Sequence, residues 1–253
     1  IDAHAHTFPD KIAEKAINRL AKISGITPAT NGTVSGTVSY MKKLNIDHFI
    51  NLNIATAPGQ QTSINNTASE NNKNHNNMIS TGSVHPDNPE AIEELHRIKS
   101  LPINAIKLHP DYQEFFIDEE KLYPIYQTCS DLDLPIVFHA GWDCYSPNIV
   151  HAKPEASASV AKKFPKLKMV LAHFGGLKMW DDVIEYLAGI ENVYFDTAMK
   201  ILSKHPIDNI FLGSDCPWES PADSIKFIDS LPLSDDQKEK IFGLNAASFF
   251  MIK

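Results

Sequence analysis

The sequence has few cysteines and no long apolar run. Cys129, Cys144 and Cys216 are odd in number and scattered along the 253 residues, which argues against a disulfide framework and favours reduced thiols in the cytoplasm. No apolar run approaches the ~20 residues that a membrane-spanning helix needs. Residues 1–4 show no signal-peptide pattern. We therefore expect a cytoplasmic protein that contacts no membrane.

Positive charge is also scarce. The formal net charge is −8 at pH 7, and the only arginines are Arg19 and Arg97. Nucleic-acid binding needs clustered lysine and arginine to contact phosphates, so this class of partner is excluded. A small-molecule substrate is the expected partner, and a homodimer is the expected assembly. Because no Gly/Ser- or Pro-rich linker divides the chain, residues 1–253 are expected to form one domain.

Short β-rich runs alternate with helical patterns along the whole chain. Such alternation predicts parallel strands joined by crossover helices. Eight such units would have ~32 residues each, close to the ~30 of one strand with its returning helix. The strand count therefore favours an α/β fold of the (β/α)8 TIM-barrel type over an open doubly wound sheet. The predicted strands are residues 1–6, 48–53, 78–84, 105–109, 135–139, 168–172, 193–196 and 210–213.

Helical patterns fill the segments between these strands. The main predicted helices are residues 12–23, 90–99, 119–132, 156–164 and 181–187. Pro221 opens a further helix that Pro232 ends, and Ser234 with Gln237 predicts a capping box for the next one. The Asn-rich segment 63–77 is interpreted as a solvated helix and loop that carries no chemistry.

Side chains that can bind metal recur at the carboxyl ends of the predicted strands, where barrel enzymes build their active sites. In His4-Ala5-His6, two residues separated by one position point to the same face of a strand. Both imidazoles can therefore reach one ion. The alternative is a pair of strand-end histidines bonded to loop carbonyls.

Three later strand ends carry His139, His173 and Asp215. Each histidine follows an apolar strand, and a core histidine with satisfied hydrogen bonds is the alternative to a functional role. The helix after Asp215 is predicted to begin near Pro221, too far on for Asp215 to be a simple helix cap. We therefore favour metal ligation and proton transfer for Asp215.

Further polar and aromatic residues follow the same strand ends. Lys107 and His109 should face the same side of the fourth strand. A cation nearby would repel Lys107 unless the lysine were deprotonated, carboxylated or directed at an anionic substrate, and a salt bridge at the barrel rim is the alternative. Asp196 is predicted to accept a hydrogen bond from a ligand histidine. Trp142 and Trp218 either wall the pocket or pack the loops. The predicted substrate-binding residues are Lys107, His109, Trp142 and Trp218.

In combination, these motifs resemble the amidohydrolase superfamily, and most closely its short metal-dependent barrels related to aminocarboxymuconate-semialdehyde decarboxylase. A lone His-x-His motif is a weak signal, but five motifs in the expected order on the expected strands are a strong one. They span nearly the whole chain: His4-x-His6, Lys107-Leu108-His109-Pro110, His139-Ala140-Gly141, His173-Phe174-Gly175-Gly176 and Gly213-Ser214-Asp215-x-Pro217-Trp218.

The resemblance implies a bound divalent metal ion, most often Zn²⁺. Binuclear members of the superfamily use a carboxylated lysine on the fourth strand together with both later histidines, so one or two ions per chain are expected. Asp215 and His173 are then the catalytic residues. The implied ligands are His4, His6, His139 and Asp215 for the first ion, and Lys107 and His173 for a second.

The activity expected from the sequence is hydrolysis of a small amide, ester or lactone. A divalent ion can lower the pKa of bound water from about 16 to about 7; Asp215 would take the proton and His173 would polarise the carbonyl. The first alternative is a metal-dependent non-oxidative decarboxylase of a small unsaturated or aromatic carboxylic acid, with Lys107 holding the carboxylate. It is disfavoured because family decarboxylases tend to use arginine for this purpose, and neither Arg19 nor Arg97 follows a predicted strand.

The second alternative is a barrel that keeps a metal for stability or binds a ligand without turnover. Structural zinc sites are usually closed by four Cys/His ligands, whereas three histidines and one aspartate beside extra polar groups indicate an open site. An enzyme is therefore the favoured interpretation.

Overall fold

The computed structural model describes residues 1–196 and 204–252 of the chain. Each predicted strand contains one observed parallel strand. Strand 193–196 has the predicted bounds, and the other seven are shorter than predicted because the backbone pairs over only two to four residues before it enters a loop. The observed strands are β1 Asp2–Ala5, β2 Phe49–Asn51, β3 Met78–Ser80, β4 Ile106–Leu108, β5 Ile136–Phe138, β6 Met169–Leu171, β7 Val193–Asp196 and β8 Ile210–Phe211.

The strands follow each other in chain order around a closed ring. Ladder hydrogen bonds join neighbouring strands in two groups, from β1 through β3 and from β4 through β8. Two further backbone contacts close the circle: Lys107 N donates to Gly82 O at 2.8 Å between β3 and β4, and Ala3 N donates to Leu212 O at 2.7 Å between β8 and β1. The predicted (β/α)8 barrel is therefore confirmed, and the open doubly wound sheet is excluded.

Helices surround this ring of strands. The helices are α1 Asp10–Ser24, α2 Val34–Lys43, α3 Gln61–Asn74, α4 Ala91–Lys99, α5 Tyr123–Asp131, α6 Pro154–Lys163, α7 Trp180–Tyr186, α8 Pro221–Asp229, α9 Asp235–Glu239 and α10 Asn245–Phe249. The predicted capping box is present at α9, where Ser234 and Gln237 bond each other's backbone. Within the described ranges, none of these helices combines the length and apolarity that crossing a membrane requires.

The Asn-rich helix α3 corrects one interpretation, because its inner face is buried rather than solvated. Ser83 N donates to Asn65 Oδ1 at 2.8 Å, and Ser80 N donates to Asn72 Oδ1 at 2.6 Å. These amides satisfy backbone groups around the end of β3 that would otherwise be unpaired. The polar composition of α3 therefore serves packing against the barrel.

The alternation of side chains along the strands separates an outer core from an inner one. Ile106 and Leu108 belong to the large apolar cluster shared with the helices, whereas Val137 and Val170 belong to the cluster inside the barrel. Lys107 pairs in register with Val137, so Lys107 faces the interior as well. Parallel strands all end at one mouth of the barrel, which is where the candidate site lies.

Candidate metal centre

Three of the predicted ligands converge at the mouth of the barrel. His4 Nε2 lies 3.1 Å from His6 Nε2, and Asp215 Oδ1 lies 3.2 Å from each of these nitrogens. Donor atoms that surround a tetrahedral ion at ~2.0–2.1 Å are about 3.3 Å apart. The three side chains therefore have the mutual spacing of ligands around one divalent cation.

Hydrogen bonds on the opposite ring nitrogens orient both histidines. His4 Nδ1 lies 2.5 Å from Asp196 Oδ2, which confirms the predicted carboxylate partner, and His6 Nδ1 donates to Leu52 O at 2.9 Å. Since both oxygens accept only, each ring carries its hydrogen on Nδ1. Burial lowers the pKa of His6 and favours its neutral form.

When both rings are neutral, as metal binding requires, their Nε2 lone pairs are directed at the same point as Asp215 Oδ1. Two lone pairs and a carboxylate oxygen at this spacing repel each other unless a positive charge lies between them. The residues present therefore fit the divalent metal that the resemblance implies.

The junction between β8 and β1 positions Asp215. Asp215 N donates to His4 O at 2.9 Å. The preceding Ser214 donates through its backbone N and its hydroxyl to the Asp2 carboxylate, at 2.9 and 2.5 Å. Although burial acts in the opposite direction, the neighbouring His4 and His6 hold the pKa of Asp215 below its usual range. Asp215 thus remains ionised, as a metal ligand or a proton acceptor requires.

His173 borders the three converging ligands, and His139 lies one ring further away. One donor atom each of His4, His173 and Asp215 lies within 4.8 Å of the other two. His173 Nε2 is 3.1 Å from His139 Nδ1. Among the described residues, no hydrogen bond or ion pair joins His139 to His4, His6 or Asp215, so ligation of the first ion by His139 stays a prediction. Burial lowers the pKa of His173 to about 4 and that of His139 well below its usual value.

Lys107 is a buried amine that faces the same space. It is 1% exposed, and within residues 1–196 and 204–252 no hydrogen bond or ion pair holds its ammonium group. Burial lowers its pKa to about 8, while the carboxylates of Asp196, Asp215 and Asp143 act to raise it. The predicted alternative of a rim salt bridge is therefore absent from the described part of the chain, and the amine is available to an anionic substrate or to carboxylation.

A second group of donor atoms lies on the loops after β4 and β5. His139 Nε2 is 3.4 Å from Asp143 Oδ2 and 3.8 Å from Asp111 Oδ2, and His109 Nε2 is 3.7 Å from Asp143 Oδ2. His109 is stacked between Tyr112 and His139, with ring centroids 3.7 and 4.3 Å apart. Burial raises the pKa of Asp143 to about 6. Sequence reasoning missed both carboxylates, because a loop has no fixed period from which their direction could be inferred.

The two predicted aromatic residues have different surroundings. Trp142 Nε1 donates to Pro147 O at 3.1 Å, and Lys178 Nζ lies 3.1 Å from the centroid of the Trp142 ring. These contacts pack the loop after β5. Trp218 N donates to Asp215 O at 2.8 Å, which brings the half-buried Trp218 next to a candidate ligand. Contact of either ring with a substrate stays a prediction.

Comparison with known proteins places this geometry in a family. Similar solved structures include a putative amidohydrolase from Staphylococcus aureus, with 18% identity, coverage of 98% of this chain and 97% of that chain, and a TM-score of 0.73. A 5-carboxyvanillate decarboxylase from Novosphingobium aromaticivorans, complexed with manganese, has 17% identity, coverage of 99% and 94%, and a TM-score of 0.69. A 2,6-dihydroxybenzoate decarboxylase from Rhizobium has 14% identity, coverage of 99% of each chain, and a TM-score of 0.68. At identities this low, the structural similarity shows a shared fold alone.

A search of the curated proteins finds no match. The family model described as Amidohydrolase matches residues 1–252, in agreement with the five motifs and the converging histidine and aspartate ligands. This match supports a metal-dependent enzyme. The chain belongs to the amidohydrolase family.

Proposed function

We propose that the protein is a metal-dependent, non-oxidative decarboxylase of a small unsaturated or aromatic carboxylic acid. The observation that carries this proposal is the buried ammonium of Lys107, for which the described residues offer no ion pair. Burying an unpaired cation is costly, and a substrate carboxylate would supply the missing partner. The names of two similar structures, both decarboxylases, support the same reaction class.

Lys107 can also replace the arginine whose absence from the strand ends counted against a decarboxylase. Arg19 lies in α1, and Arg97 in α4 is bound to Glu94 at 2.6 Å, so neither is available at the mouth of the barrel. A lysine acts as a compact point charge, whereas arginine grips a carboxylate with two parallel hydrogen bonds. We therefore expect one cationic contact to the substrate carboxylate.

The donor atoms His4 Nε2, His6 Nε2 and Asp215 Oδ1 would hold the metal, with His139 as the fourth ligand implied by the resemblance. When bound, the ion supplies a Lewis acid that stabilises negative charge on a substrate oxygen. The histidine-rich set suits Zn²⁺. Mn²⁺ is the alternative, supported by the manganese in the Novosphingobium structure.

The remaining chemistry follows from the residues of the chain. Decarboxylation breaks the carbon–carbon bond to the carboxylate, leaves the electron pair on the substrate carbon, and replaces CO₂ by a proton. Lys107 orients the carboxylate, and its charge stays close to the electron pair as that pair moves to the adjacent carbon. His173 and Asp215 border the same space. We assign proton transfer to the ionised Asp215, which would take a proton from a substrate hydroxyl or a water and return it to the substrate carbon, with His173 beside it.

Hydrolysis of a small amide, ester or lactone is the second candidate. The ionised state of Asp215, which the neighbouring histidines favour, is the state that a base for water requires. The two candidates share the metal ligands and differ in the role of Lys107.

An activity panel separates the two. Metal-loaded protein is incubated with hydroxybenzoic and unsaturated carboxylic acids, with CO₂ release measured, and with esters, lactones and amides, with hydrolysis measured. We expect CO₂ release, and Lys107→Met should reduce kcat/KM for the acid by at least ~100-fold, the scale of a lost buried charge pair. Lys168→Met is the matched control, because the Lys168 side chain is half-buried on the outside of the barrel and bound to the exposed Asp133. Hydrolysis without CO₂ release, unaffected by Lys107→Met, would establish the hydrolase instead.

A further inference from the structure

The two ring nitrogens of His139 have different surroundings. His139 Nδ1 lies 3.1 Å from His173 Nε2, and the centroids of the His173 and His4 rings are 5.2 Å apart. His139 Nε2 faces the loops after β4 and β5 instead, where Asp143 Oδ2 lies 3.4 Å and Asp111 Oδ2 lies 3.8 Å from it. Nδ1 is therefore the nitrogen of this ring that lies on the side of the metal centre.

The surroundings of Nε2 indicate which nitrogen carries the hydrogen. Both neighbouring atoms are carboxylate oxygens, which only accept hydrogen bonds when ionised. They repel a lone pair on His139 Nε2 and attract an N–H group there. A histidine that binds a metal through one nitrogen usually donates the hydrogen on its other nitrogen to a carboxylate or a carbonyl. We therefore expect the hydrogen of His139 on Nε2 and the lone pair on Nδ1.

Asp111 Oδ2 is the acceptor that this hydrogen lacks. Asp111 Oδ2 and His139 Nε2 are both buried and have no hydrogen-bond partner among the described residues, although buried polar atoms are nearly always paired. The side chain of Asp111 is 0% exposed and that of Asp143 is 9% exposed, so solvent reaches Asp143 but not Asp111. A movement of about 1 Å would bring the unpaired donor and the unpaired acceptor to an ordinary hydrogen-bond distance.

The other oxygen of Asp111 is held by the loop after β5. Asp111 Oδ1 accepts from His151 Nδ1 at 2.8 Å and from Ser146 Oγ. The carbonyl oxygen of His151 accepts in turn from Ile117 N at 3.1 Å, which ties this loop to the loop after β4. These bonds use Oδ1 alone and leave Oδ2 for His139.

We propose that Asp111 is a positioning residue of the metal centre, which accepts the Nε2 hydrogen of His139 and thereby keeps the Nδ1 lone pair of that ring free for the ion. Its role towards His139 is the same as that of Asp196 towards His4. The proposal rests on the metal-dependent function proposed above, with His139 as the fourth ligand. It applies equally to decarboxylation and to hydrolysis, because both need the ion.

The affinity for Zn²⁺ tests this role. In Asp111→Asn the new amide keeps its carbonyl oxygen on His151 Nδ1 and presents N–H groups to His139 Nε2, so two donors would face each other. We expect the affinity for Zn²⁺ to fall about 10–100-fold, as measured by competition with a chromophoric chelator. Ser146→Ala is the matched control, because it removes a bond to Oδ1 and leaves Oδ2 unchanged. It should bind Zn²⁺ as the wild type does.

The position of the hydrogen on His139 is a readout that a purely structural role of Asp111 would not change. NMR of chelator-treated protein with isotope-labelled histidine rings distinguishes the two tautomers, and His139→Gln identifies the signals of this ring by their loss. We expect the hydrogen on Nε2 in the wild type and in Ser146→Ala. In Asp111→Asn it should move to Nδ1, where His173 Nε2 can accept it.

Equal Zn²⁺ affinities in Asp111→Asn and the wild type, or an equal loss in Ser146→Ala, would overturn the proposal and leave the proposed function intact. A loss in Asp143→Asn with none in Asp111→Asn would also overturn it and assign the role to Asp143. A wild type that binds no Zn²⁺ would overturn the metal centre as well. Circular dichroism checks that each variant is folded. If Asp111→Asn does not fold, the wild-type tautomer decides: hydrogen on Nε2 supports the proposal, and hydrogen on Nδ1 overturns it.

Discussion

His4 and His6 reach one point because of two different partners behind them. The Asp196 carboxylate lies behind His4, and the Leu52 carbonyl lies behind His6. The carboxylate adds charge as well as direction, since it makes the imidazole a stronger electron-pair donor. Asp196 also accepts from His173 N at 2.7 Å. A single buried carboxylate therefore aligns two of the residues at the mouth of the barrel.

Asp196→Asn tests this alignment by removing the charge while keeping the shape. We expect the affinity for Zn²⁺ to fall about 10–100-fold, because a neutral amide orients the His4 ring less firmly. Competition with a chromophoric chelator measures the change. Asp208→Asn is the control, since Asp208 is exposed and paired with Lys240. Equal affinities in Asp196→Asn and the wild type would contradict the orienting role.

The residues that the sequence predicted are those whose direction a regular element fixes. The two-residue period of a strand brings His4 and His6 to one face, and the end of β8 brings Asp215 beside them. Asp111 and Asp143 follow histidines by two and four positions, but they lie in loops, where spacing does not determine direction. The position of these two carboxylates beside His139 depends on how the loops after β4 and β5 pack against each other.

At the level of strands, the candidate centre depends on how closely β8 approaches β1 and β7. A Cβ atom added at Gly213 would lie 2.8 Å from Asp196 Cβ and 3.0 Å from His4 Cβ. The first distance is shorter than real Cβ contacts allow and the second is tighter than most of them, so a side chain at position 213 must displace the Asp196 carboxylate and crowd the ligand histidine. The glycine thus permits the geometry of the centre.

Gly213→Ala should therefore weaken metal binding and folding together. We expect a loss of about 1–3 kcal/mol in the free energy of unfolding, the usual scale of overpacking, together with a lower Zn²⁺ affinity. Urea unfolding and metal titration measure the two effects. Gly59→Ala is the control, because an added Cβ there meets nothing within 4 Å. A Gly213→Ala variant with wild-type stability and affinity would show that the strands can separate without cost.

Strand number and order could be predicted, but strand ends and one helix could not. The sequence predicts a third strand over residues 78–84, whereas β3 ends at Ser80. The backbone N–H groups of Ser80 and Ser83 donate to side-chain amides of α3 and not to a neighbouring strand. Helix α2 was not predicted, since only Thr37 and Met41 on it are buried and its apolar stripe is correspondingly narrow. Both features depend on packing between elements.

Across the whole molecule, the buried histidines make the stability of the metal-free protein depend on pH. Burial lowers the pKa values of His6, His109, His139 and His173, the last to about 4. An unfolded histidine has a pKa of about 6.5. Between these values the unfolded chain binds protons that the folded chain does not, so stability falls as the pH falls from about 6.5 towards 4.

We expect chelator-treated protein to lose a few kcal/mol of unfolding free energy between pH 7 and pH 5, on the scale of about 1.4 kcal/mol per pKa unit. Asp143, whose pKa burial raises to about 6, binds a proton in the folded state and offsets part of the loss below pH 6. Urea unfolding at several pH values measures the trend, and His173→Gln should flatten it. A stability independent of pH in this window would contradict neutral buried histidines.

The closed ring brings the first strand next to the last one. His4 Nε2 in β1 therefore lies 3.2 Å from Oδ1 of Asp215, which follows β8. The most direct test of a metal centre at this point is anomalous diffraction at the zinc edge from a crystal of Zn²⁺-loaded protein. We expect a peak about 2.0–2.2 Å from His4 Nε2, His6 Nε2 and Asp215 Oδ1. Ordered side chains at these three positions with no peak between them would contradict the account.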